Sequence, residues 1–170
     1  ALTGKRVLIR VDFNVPLDGS GAITDDIRIR MALPTLQYAL GQKARLILCS
    51  HLGKPKGKRV AAASLAPVAA ALSAMLQRPV RLAPDCIGPE TEAMVGAMQD
   101  GEVVLLENLR FHPGEEANDP EFARQLAALA EVYVNDAFAV SHRAHASVAA
   151  VTAHFADRKA AGILLQKEMD

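Results

Sequence analysis

The 170-residue sequence contains no tryptophan, few aromatic residues of any kind and no excess of either charge. Aromatic residues make up 4% of the chain, and 19 basic residues balance 19 acidic ones. Proteins that bind nucleic acids usually carry a basic excess, and those that bind single strands also present aromatic side chains for stacking. The composition therefore argues against a nucleic-acid partner.

Cysteine is also scarce, with only Cys49 and Cys86 in the chain, too far apart to form a CxxC motif. A small secreted domain held by disulfides would have more cysteines in a regular framework. Cys49 lies in an apolar run, which favours a small buried side chain rather than a reactive one. No signal-peptide pattern opens the sequence. These features predict a reducing, cytoplasmic environment.

One long stretch, residues 60–76, lacks charge altogether. It is rich in alanine, is interrupted by Pro67 and carries Ser64 where a helix N-cap is expected. A membrane-spanning helix needs about 20 predominantly apolar residues. We therefore expect a helix that packs on a sheet, and no membrane partner.

Short apolar runs alternate with longer helical patterns along the whole chain. Strands are predicted at 7–11, 46–49, 80–82, 103–106 and 132–134, and helices at 26–40, from 64 onward, at 88–98, at 119–130 and at 157–169. The helix at 119 has the clearest start, since Asp119 is a good cap and Pro120 fits the first turn. Alternation of this kind, with nearly continuous apolar strands, predicts a three-layer α/β/α domain with a parallel, Rossmann-like sheet.

Polar residues follow four of the predicted strands. They are Arg10, Asp12 and Asn14; Ser50 and His51; Glu107, Asn108 and Arg110; and Asn135 and Asp136, followed by His142, Arg143 and His145. Because ligands of open parallel sheets bind beyond the carboxyl ends of the strands, we expect these groups to border one crevice. Period-two alternation further predicts that Arg10, Asp12 and Asn14 point to one side.

The residue types at these strand ends favour a small anion. Arginine and histidine supply positive charge and planar donors for phosphate and carboxylate groups. Any one cluster taken alone is also explained by a structural ion pair or by solvated charge. Several clusters on one sheet edge instead predict a small phosphorylated ligand that bears a carboxylate.

Two other segments resemble known kinds of functional site, one for phosphate and one for a metal. Residues 53–59 resemble a phosphate-binding P-loop, but the spacing is one residue short and Arg59 replaces the required Ser or Thr. Pro55 also removes a backbone donor, so a flexible, solvated loop is the better interpretation. His142 and His145 have a spacing that suits a metal on a helix, but no third ligand has suitable spacing. We therefore predict no metal site.

Four segments at the strand ends form longer motifs that follow one another in order. They are RVDFNVP at 10–16, SHLGKP at 50–55, LENLRF at 106–111, and NDAF at 135–138 followed by HRAH at 142–145. These segments closely resemble the phosphoglycerate kinase family, and the resemblance extends from about Gly4 to Asp170. It implies that residues 1–170 form the N-terminal, substrate-binding domain, without the C-terminal domain that binds nucleotide.

The resemblance also implies a role for each matching position. Asp12 and Asn14 would contact the glycerate portion of 3-phosphoglycerate, and Arg28 would be the catalytic residue near the reacting carboxylate. The remaining substrate-binding positions are Phe13, His51, Leu52, Gly53, Lys54, Arg110 and Arg143, of which the basic ones would hold the substrate phosphate. Two departures stand out: Lys54 replaces the usual arginine by a point charge, and residues 139–141 read AVS where GTA is common.

The activity implied by the resemblance is reversible phosphoryl transfer between ATP and the carboxylate of 3-phosphoglycerate, a step of glycolysis. The family's glycine-rich nucleotide motifs do not occur in this sequence. Mg-ATP or Mg-ADP would therefore be bound by the absent C-terminal domain, with no cofactor on this chain alone, and the isolated domain would be inactive. The expected partners are 3-phosphoglycerate or 1,3-bisphosphoglycerate and the chain's own C-terminal domain, in a monomeric protein. The alternative is a stand-alone anion-binding or regulatory α/β domain.

Overall fold

The computed structural model describes residues 2–137 and 145–155, together with the backbone of residues 159–161. Within these residues the strands are β1 (Arg6–Val11), β2 (Arg45–Cys49), β3 (Val80–Leu82), β4 (Val103–Leu105), β5 (Val132–Asp136) and β6 (Lys159–Ala161). The helices are α1 (Ile27–Gly41), α2 (Ala66–Leu76), α3 (Pro89–Gly96), α4 (Pro113–Glu116) and α5 (Pro120–Ala127). Short 3₁₀ turns cover Ala61–Ala63, Leu109–Phe111 and Ala150–His154.

The strands form one parallel sheet in the order β3-β4-β2-β1-β5-β6. In the register at its centre, Val7 of β1 lies opposite Leu46 of β2 and Val132 of β5. From β1 the chain continues to β2, which lies on one side of the β1–β5 pair. From β5 it continues to β6, which lies on the opposite side of that pair. Connections therefore diverge from the neighbouring strands β1 and β5, and such a divergence opens a crevice at the carboxyl ends of the strands.

Helices cover both faces of the sheet. Val7 and Ile9 of β1 pack in one buried cluster with Leu36 of α1, and this cluster also contains residues of α2. Leu8 points the other way, into a second cluster that includes Leu126 of α5 and residues of α3. Burial on both faces explains why the strands are nearly continuous apolar runs. The predicted three-layer α/β/α architecture is confirmed.

Two helix starts follow the capping pattern of the sequence. Helix α1 begins at Ile27, one residue later than predicted, with Asp26 at the N-cap position; the preceding Asp25 accepts a hydrogen bond at Oδ1 from the backbone N of Ile27 (3.0 Å). Asp119 caps α5 by accepting from the backbone N of Phe122 (3.0 Å). Helix α5 ends at Ala127, three residues earlier than predicted. Helix ends fray, and boundaries are the least determined part of such a pattern.

The uncharged stretch forms α2, which buries Val68 and Leu72 against the sheet. Among the described helices, none combines the length and the apolar character that crossing a membrane requires. The stretch is therefore accounted for as one layer of the fold.

The helix predicted over 157–169 is wrong where the chain can be compared. Residues Lys159–Ala161 form β6, which pairs in parallel with β5. Alanine is the strongest helix former, but helix propensity is a weak guide that tertiary context overrides. Here the open edge of β5 offers backbone hydrogen bonds that the local sequence does not reveal. The rest of the predicted helix lies outside the described residues.

Candidate functional site

The end of β1 and the start of α1 meet through direct hydrogen bonds. Nη1 of Arg28, the second residue of α1, lies 3.2 Å from Oδ1 of Asp12 and 2.9 Å from the carbonyl oxygen of Asn14. The same Asp12 oxygen also accepts from the backbone N of Asn14 (3.2 Å). The Arg28 side chain remains 44% exposed. The structure thus holds a guanidinium at the surface in a defined place.

An open pocket of about 560 Å³ lies beside this contact. Its lining residues are Asn14, Val15, Pro16, Asp25, Ile27 and Arg28. Pockets of roughly 300–1,000 Å³ are typical of small-molecule sites. The volume suits a small ligand, and the lining offers a cation, a carboxylate and an amide to orient it.

The loop after β2 reaches the same place through Gly53. Its backbone N donates to Oδ1 of Asn14 at 2.8 Å. Gly53 has a φ of 63°, in the left-handed region that glycine adopts without steric cost. Lys54 follows with an exposed side chain. Three segments distant in sequence are therefore joined at Asn14, and four of the predicted site residues lie in one hydrogen-bonded group.

The ring of His51 is hydrogen-bonded to the side chain of Arg10. Nη2 of Arg10 lies 2.9 Å from Nδ1 of His51, whose residue is only 4% exposed. A guanidinium can only donate, so Nδ1 must accept and the ring proton must lie on Nε2. In this arrangement His51 is neutral, and the positive charge expected from it is replaced by a hydrogen-bond donor.

Arg10 has different partners from Asp12 and Asn14, although the alternation of β1 continues beyond the end of the strand. Every second residue from Val7 to Val15 packs in one buried cluster, in agreement with the expectation that Arg10, Asp12 and Asn14 point to the opposite side. Arg10 is fully buried, with Nε donating to Oγ of Ser147 (2.9 Å) and Nη1 donating to the carbonyl oxygen of Val11. A buried charge requires such partners.

The partner of Arg10 belongs to a larger buried network. Ser147 Oγ donates to Oε2 of Glu115 (2.5 Å), and the backbone N of Ser147 donates to Oε1 of the same carboxylate (2.8 Å). The hydroxyl of Tyr133 donates to the carbonyl oxygen of Ser147 (2.6 Å). Glu115 is completely buried. The network links β1 to the segment after the fifth strand, and no local sequence pattern indicates it.

Glu107 and Asn108 were expected at the crevice but serve the fold instead. Glu107 Oε1 accepts from the backbone N of Leu65 (2.8 Å), and Oε2 accepts from Oγ of Ser64 (2.8 Å), so this carboxylate caps α2 from a different element. Asn108 Oδ1 accepts from the backbone N of Arg110 (3.0 Å). Both residues are buried, and their partners are internal.

Phe13 and Leu52 are core residues rather than exposed parts of the crevice. Their side chains are buried in the core, with residue exposures of 0% and 3%. The backbone N of Phe13 donates to Oγ of Ser50 (2.9 Å), and the carbonyl oxygen of Leu52 accepts from Nδ2 of Asn108 (2.7 Å). Both residues therefore support the fold around the crevice rather than offering an exposed surface to a ligand.

Arg110 lies on the 3₁₀ turn after β4, and its residue is 6% exposed. Its carbonyl oxygen accepts from the backbone N of Gly57 (2.9 Å). A Cβ at Gly57 would stand 3.1 Å from Cβ of Pro113, so the basic loop approaches this turn closely. The charged side chains of the loop are exposed as expected, but its backbone is anchored against Arg110.

The remaining strand end, that of β5, is described only in part. Asn135 Oδ1 accepts from the backbone N of Ala137 (3.0 Å). Burial raises the pKa of the Asp136 carboxyl to about 6, against an opposing hydrogen bond from Thr35. Arg143 and His142, both singled out by sequence, lie outside the described residues.

Neither cysteine is suited to nucleophilic catalysis. Both are buried free thiols, as predicted for Cys49. Burial raises the pKa of Cys49 to about 12 and raises that of Cys86 well above its usual value. A reactive cysteine needs a lowered pKa and access to substrate. The chemistry of the described site therefore rests on cations, amides and positioning.

Known proteins share the sequence and the fold of this chain. The sequence model of the family described as phosphoglycerate kinase matches residues 1–170. This chain belongs to the phosphoglycerate kinase family. A phosphoglycerate kinase from Desulfotalea psychrophila is 64% identical, over 99% of this chain and 43% of that protein. Another, from Acaryochloris marina, is 60% identical over 99% of this chain and 42% of its own length.

Solved structures of the family have the same fold. The phosphoglycerate kinase from Coxiella burnetii matches with a TM-score of 0.85 at 45% identity, over 98% of this chain and 41% of that one. The enzyme from Pyrococcus horikoshii matches with a TM-score of 0.86 at 30% identity, over 99% and 42% respectively. The chain thus spans less than half the length of the phosphoglycerate kinases it matches.

Proposed function

We propose that this chain forms the 3-phosphoglycerate-binding side of a phosphoglycerate kinase, which transfers a phosphoryl group reversibly between ATP and the substrate carboxylate. The observation that supports this most directly is the exposed guanidinium of Arg28, held by Asp12 and Asn14 at the mouth of an open pocket. Membership of the family supports the proposed reaction, and the geometry supports the roles proposed for individual residues.

The substrate carboxylate is itself the nucleophile in this reaction, so the protein needs none. Catalysis then comes from positioning and from stabilisation of the charge on the transferring group. Among the described residues, both hydrogen bonds of Arg28 use Nη1. Nε and Nη2 form the edge that suits an oxyanion. We assign Arg28 to the charge that develops during transfer.

The other matching residues are assigned to the ground state of the substrate. Asp12 and Asn14 would contact the glycerate portion. His51 would donate from Nε2 as a neutral ring, because Arg10 occupies Nδ1. Lys54, Arg110 and Arg143 would neutralise the remote phosphate beside Gly53, while Phe13 and Leu52 would support the site from the core.

We further propose that residues 1–170 constitute one substrate-binding domain of a monomeric cytoplasmic protein, and that Mg-ATP or Mg-ADP binds to a part of the protein beyond this chain. The relatives are more than twice as long as the chain, and its 170 residues contain no glycine-rich nucleotide motif. The residues present do not fit a nucleotide, so none is assigned to it. No observation favours the alternative of a stand-alone anion-binding domain.

The role of Arg28 is tested in the full-length enzyme by comparing Arg28→Ala with Arg30→Ala. Loss of a donor to transition-state charge should lower kcat by about 100- to 1,000-fold, with a smaller effect on KM for 3-phosphoglycerate. Arg30 is the matched control, since it lies on the same helix and pairs with Asp26 at the surface (3.0 Å). Its loss should leave both constants nearly unchanged. A change in KM alone for Arg28→Ala would refute the assignment.

A further inference from the structure

A second group of chemically active side chains lies beyond the carboxyl ends of β3 and β4, at one edge of the sheet. Asp85 and Cys86 are in the loop after β3, and His112 follows the turn after β4, the neighbouring strand. Their carboxylate oxygen, sulfur and ring nitrogen atoms lie within 4.8 Å of one another. We propose that Asp85, Cys86 and His112 form a three-ligand binding site for Zn²⁺.

The loops that carry these residues are fixed by contacts outside the cluster. The backbone N of Ala83 donates to the carbonyl oxygen of Leu105 (2.8 Å), which ties the end of β3 to β4. Thr91, fully buried, donates from Oγ1 to the carbonyl oxygen of Asp85 (2.9 Å). The ring of His112 packs on Phe122 with centroids 5.3 Å apart. A rigid frame of this kind is what a metal site requires.

The spacing of the ligand atoms is close to that of a tetrahedral zinc centre. Bonds of about 2.0–2.3 Å place neighbouring ligand atoms roughly 3.3–3.7 Å apart. Oδ1 of Asp85 now lies 2.7 Å from Nε2 of His112, as a hydrogen-bonded pair, and the widest separation is at most 4.8 Å. Shifts of about 1 Å therefore suffice to enclose the ion, with its fourth position left for water.

The set of donors selects the metal. Thiolate and imidazole ligands favour zinc over magnesium or calcium, which take oxygen ligands. The cluster borders an open pocket of about 370 Å³ that Asp85 helps to line. Asp85 and His112 keep side-chain exposures of 31% and 28%, whereas Cys86 is fully buried. Water and the ion can thus approach from the pocket, while the sulfur closes the inner side.

One nearby charge opposes the ion. Arg59 donates from Nη2 to the carbonyl oxygen of Pro84 (2.6 Å), and its charge acts on the Asp85 carboxylate. A carboxylate and a thiolate together outweigh this single positive charge. Replacing Arg59 by Gln should therefore tighten Zn²⁺ binding several-fold, and unchanged or weaker binding would contradict the proposed position of the ion.

The site is tested on the metal-free 170-residue chain with Zn²⁺ and, as a spectroscopic substitute, Co²⁺. Equilibrium dialysis against a competing chelator should give one Zn²⁺ per chain. Co²⁺ should show a thiolate-to-cobalt charge-transfer band and the strong visible absorption of a tetrahedral centre. Cys49→Ser leaves Cys86 as the only cysteine and should retain the band. Cys86→Ser should lose it and bind Zn²⁺ at least about 10- to 100-fold more weakly.

Two histidine variants test the imidazole ligand in the same way. His112→Asn should weaken Zn²⁺ binding strongly, whereas the same change at His154, which is exposed, should not. Far-UV circular dichroism reports whether each variant folds. If Cys86→Ser fails to fold, the band in Cys49→Ser decides the matter, because only Cys86 can produce it. Absence of Zn²⁺ binding, binding without a thiolate band, or loss of the band in folded Cys49→Ser would overturn the proposal.

Discussion

The buried hydroxyl of Ser147 offers a sharp test of how the fold holds the site together. It accepts from Nε of Arg10 at 2.9 Å and donates to Oε2 of Glu115 at 2.5 Å. Ser147→Ala removes both bonds without changing the backbone. Because all three residues are at most 1% exposed, water cannot replace the lost partner.

The expected cost follows from the charged groups that lose a partner. A hydrogen bond to a charged group contributes about 1.5–3 kcal/mol, and two such bonds set an upper range of about 3–6 kcal/mol. Glu115 keeps the backbone N–H of Ser147 (2.8 Å), and Arg10 keeps His51 and the carbonyl oxygen of Val11. We therefore expect Ser147→Ala to lower the free energy of unfolding by about 2–4 kcal/mol.

Urea unfolding followed by far-UV circular dichroism measures this change, since the chain has no tryptophan to report it. Ser20→Ala is the matched control, because Ser20 Oγ also donates to a carboxylate, that of Asp18 (2.6 Å), but at the exposed surface. The control should leave the urea midpoint unchanged. If Ser147→Ala unfolded at the same midpoint as the control, the buried network would not have the stabilising role assigned to it.

Three further substitutions are expected to alter stability, two of them raising it and one lowering it. Burial raises the pKa of Asp136 to about 6, so folding favours its protonated form, and this stabilisation is lost as the pH rises from about 4 through about 6. Relative to wild type, Asp136→Asn should gain about 1–2 kcal/mol of unfolding free energy over that interval in urea titrations, a value reduced for partial exposure, and a pH-independent difference would contradict this. Gly114→Ala should destabilise by about 1–3 kcal/mol in urea unfolding, because its Cβ would stand 2.9 Å from Cβ of Phe122. Gly96→Ala in α3, where a Cβ meets nothing within 4 Å, should instead stabilise by about 0.4–1 kcal/mol, and a shared sign would refute the steric argument.

Apolar patterning predicted the core of the fold because the strands are short, nearly continuous apolar runs between turn-forming residues. Val7 and Leu46, both in predicted strands, pair in the centre of the sheet. The pattern failed at Lys159–Ala161, where pairing with the free edge of β5 overrides the helix preference of alanine. A local pattern contains no information about that edge.

The candidate site shows the same division between local and long-range information. The resemblance to a family singled out Asp12, Asn14 and Arg28, which the structure joins by hydrogen bonds. Alternation did not reveal that Arg10 is a buried residue bonded to Ser147 and His51, because both partners are far away in sequence. Glu107 was mistaken for a ligand group because its role as a cap depends on α2, more than thirty residues earlier in the chain. Partners so distant in sequence leave no periodic signal.

The proposed function depends most on the binding of a small phosphorylated carboxylate at these strand ends. Isothermal titration calorimetry of the 170-residue chain with 3-phosphoglycerate tests it directly. We predict saturable one-to-one binding at ligand concentrations on the order of millimolar, weakened about tenfold or more by Arg110→Ala. A titration without saturable heat, or equal affinity in the Arg110→Ala variant, would contradict it.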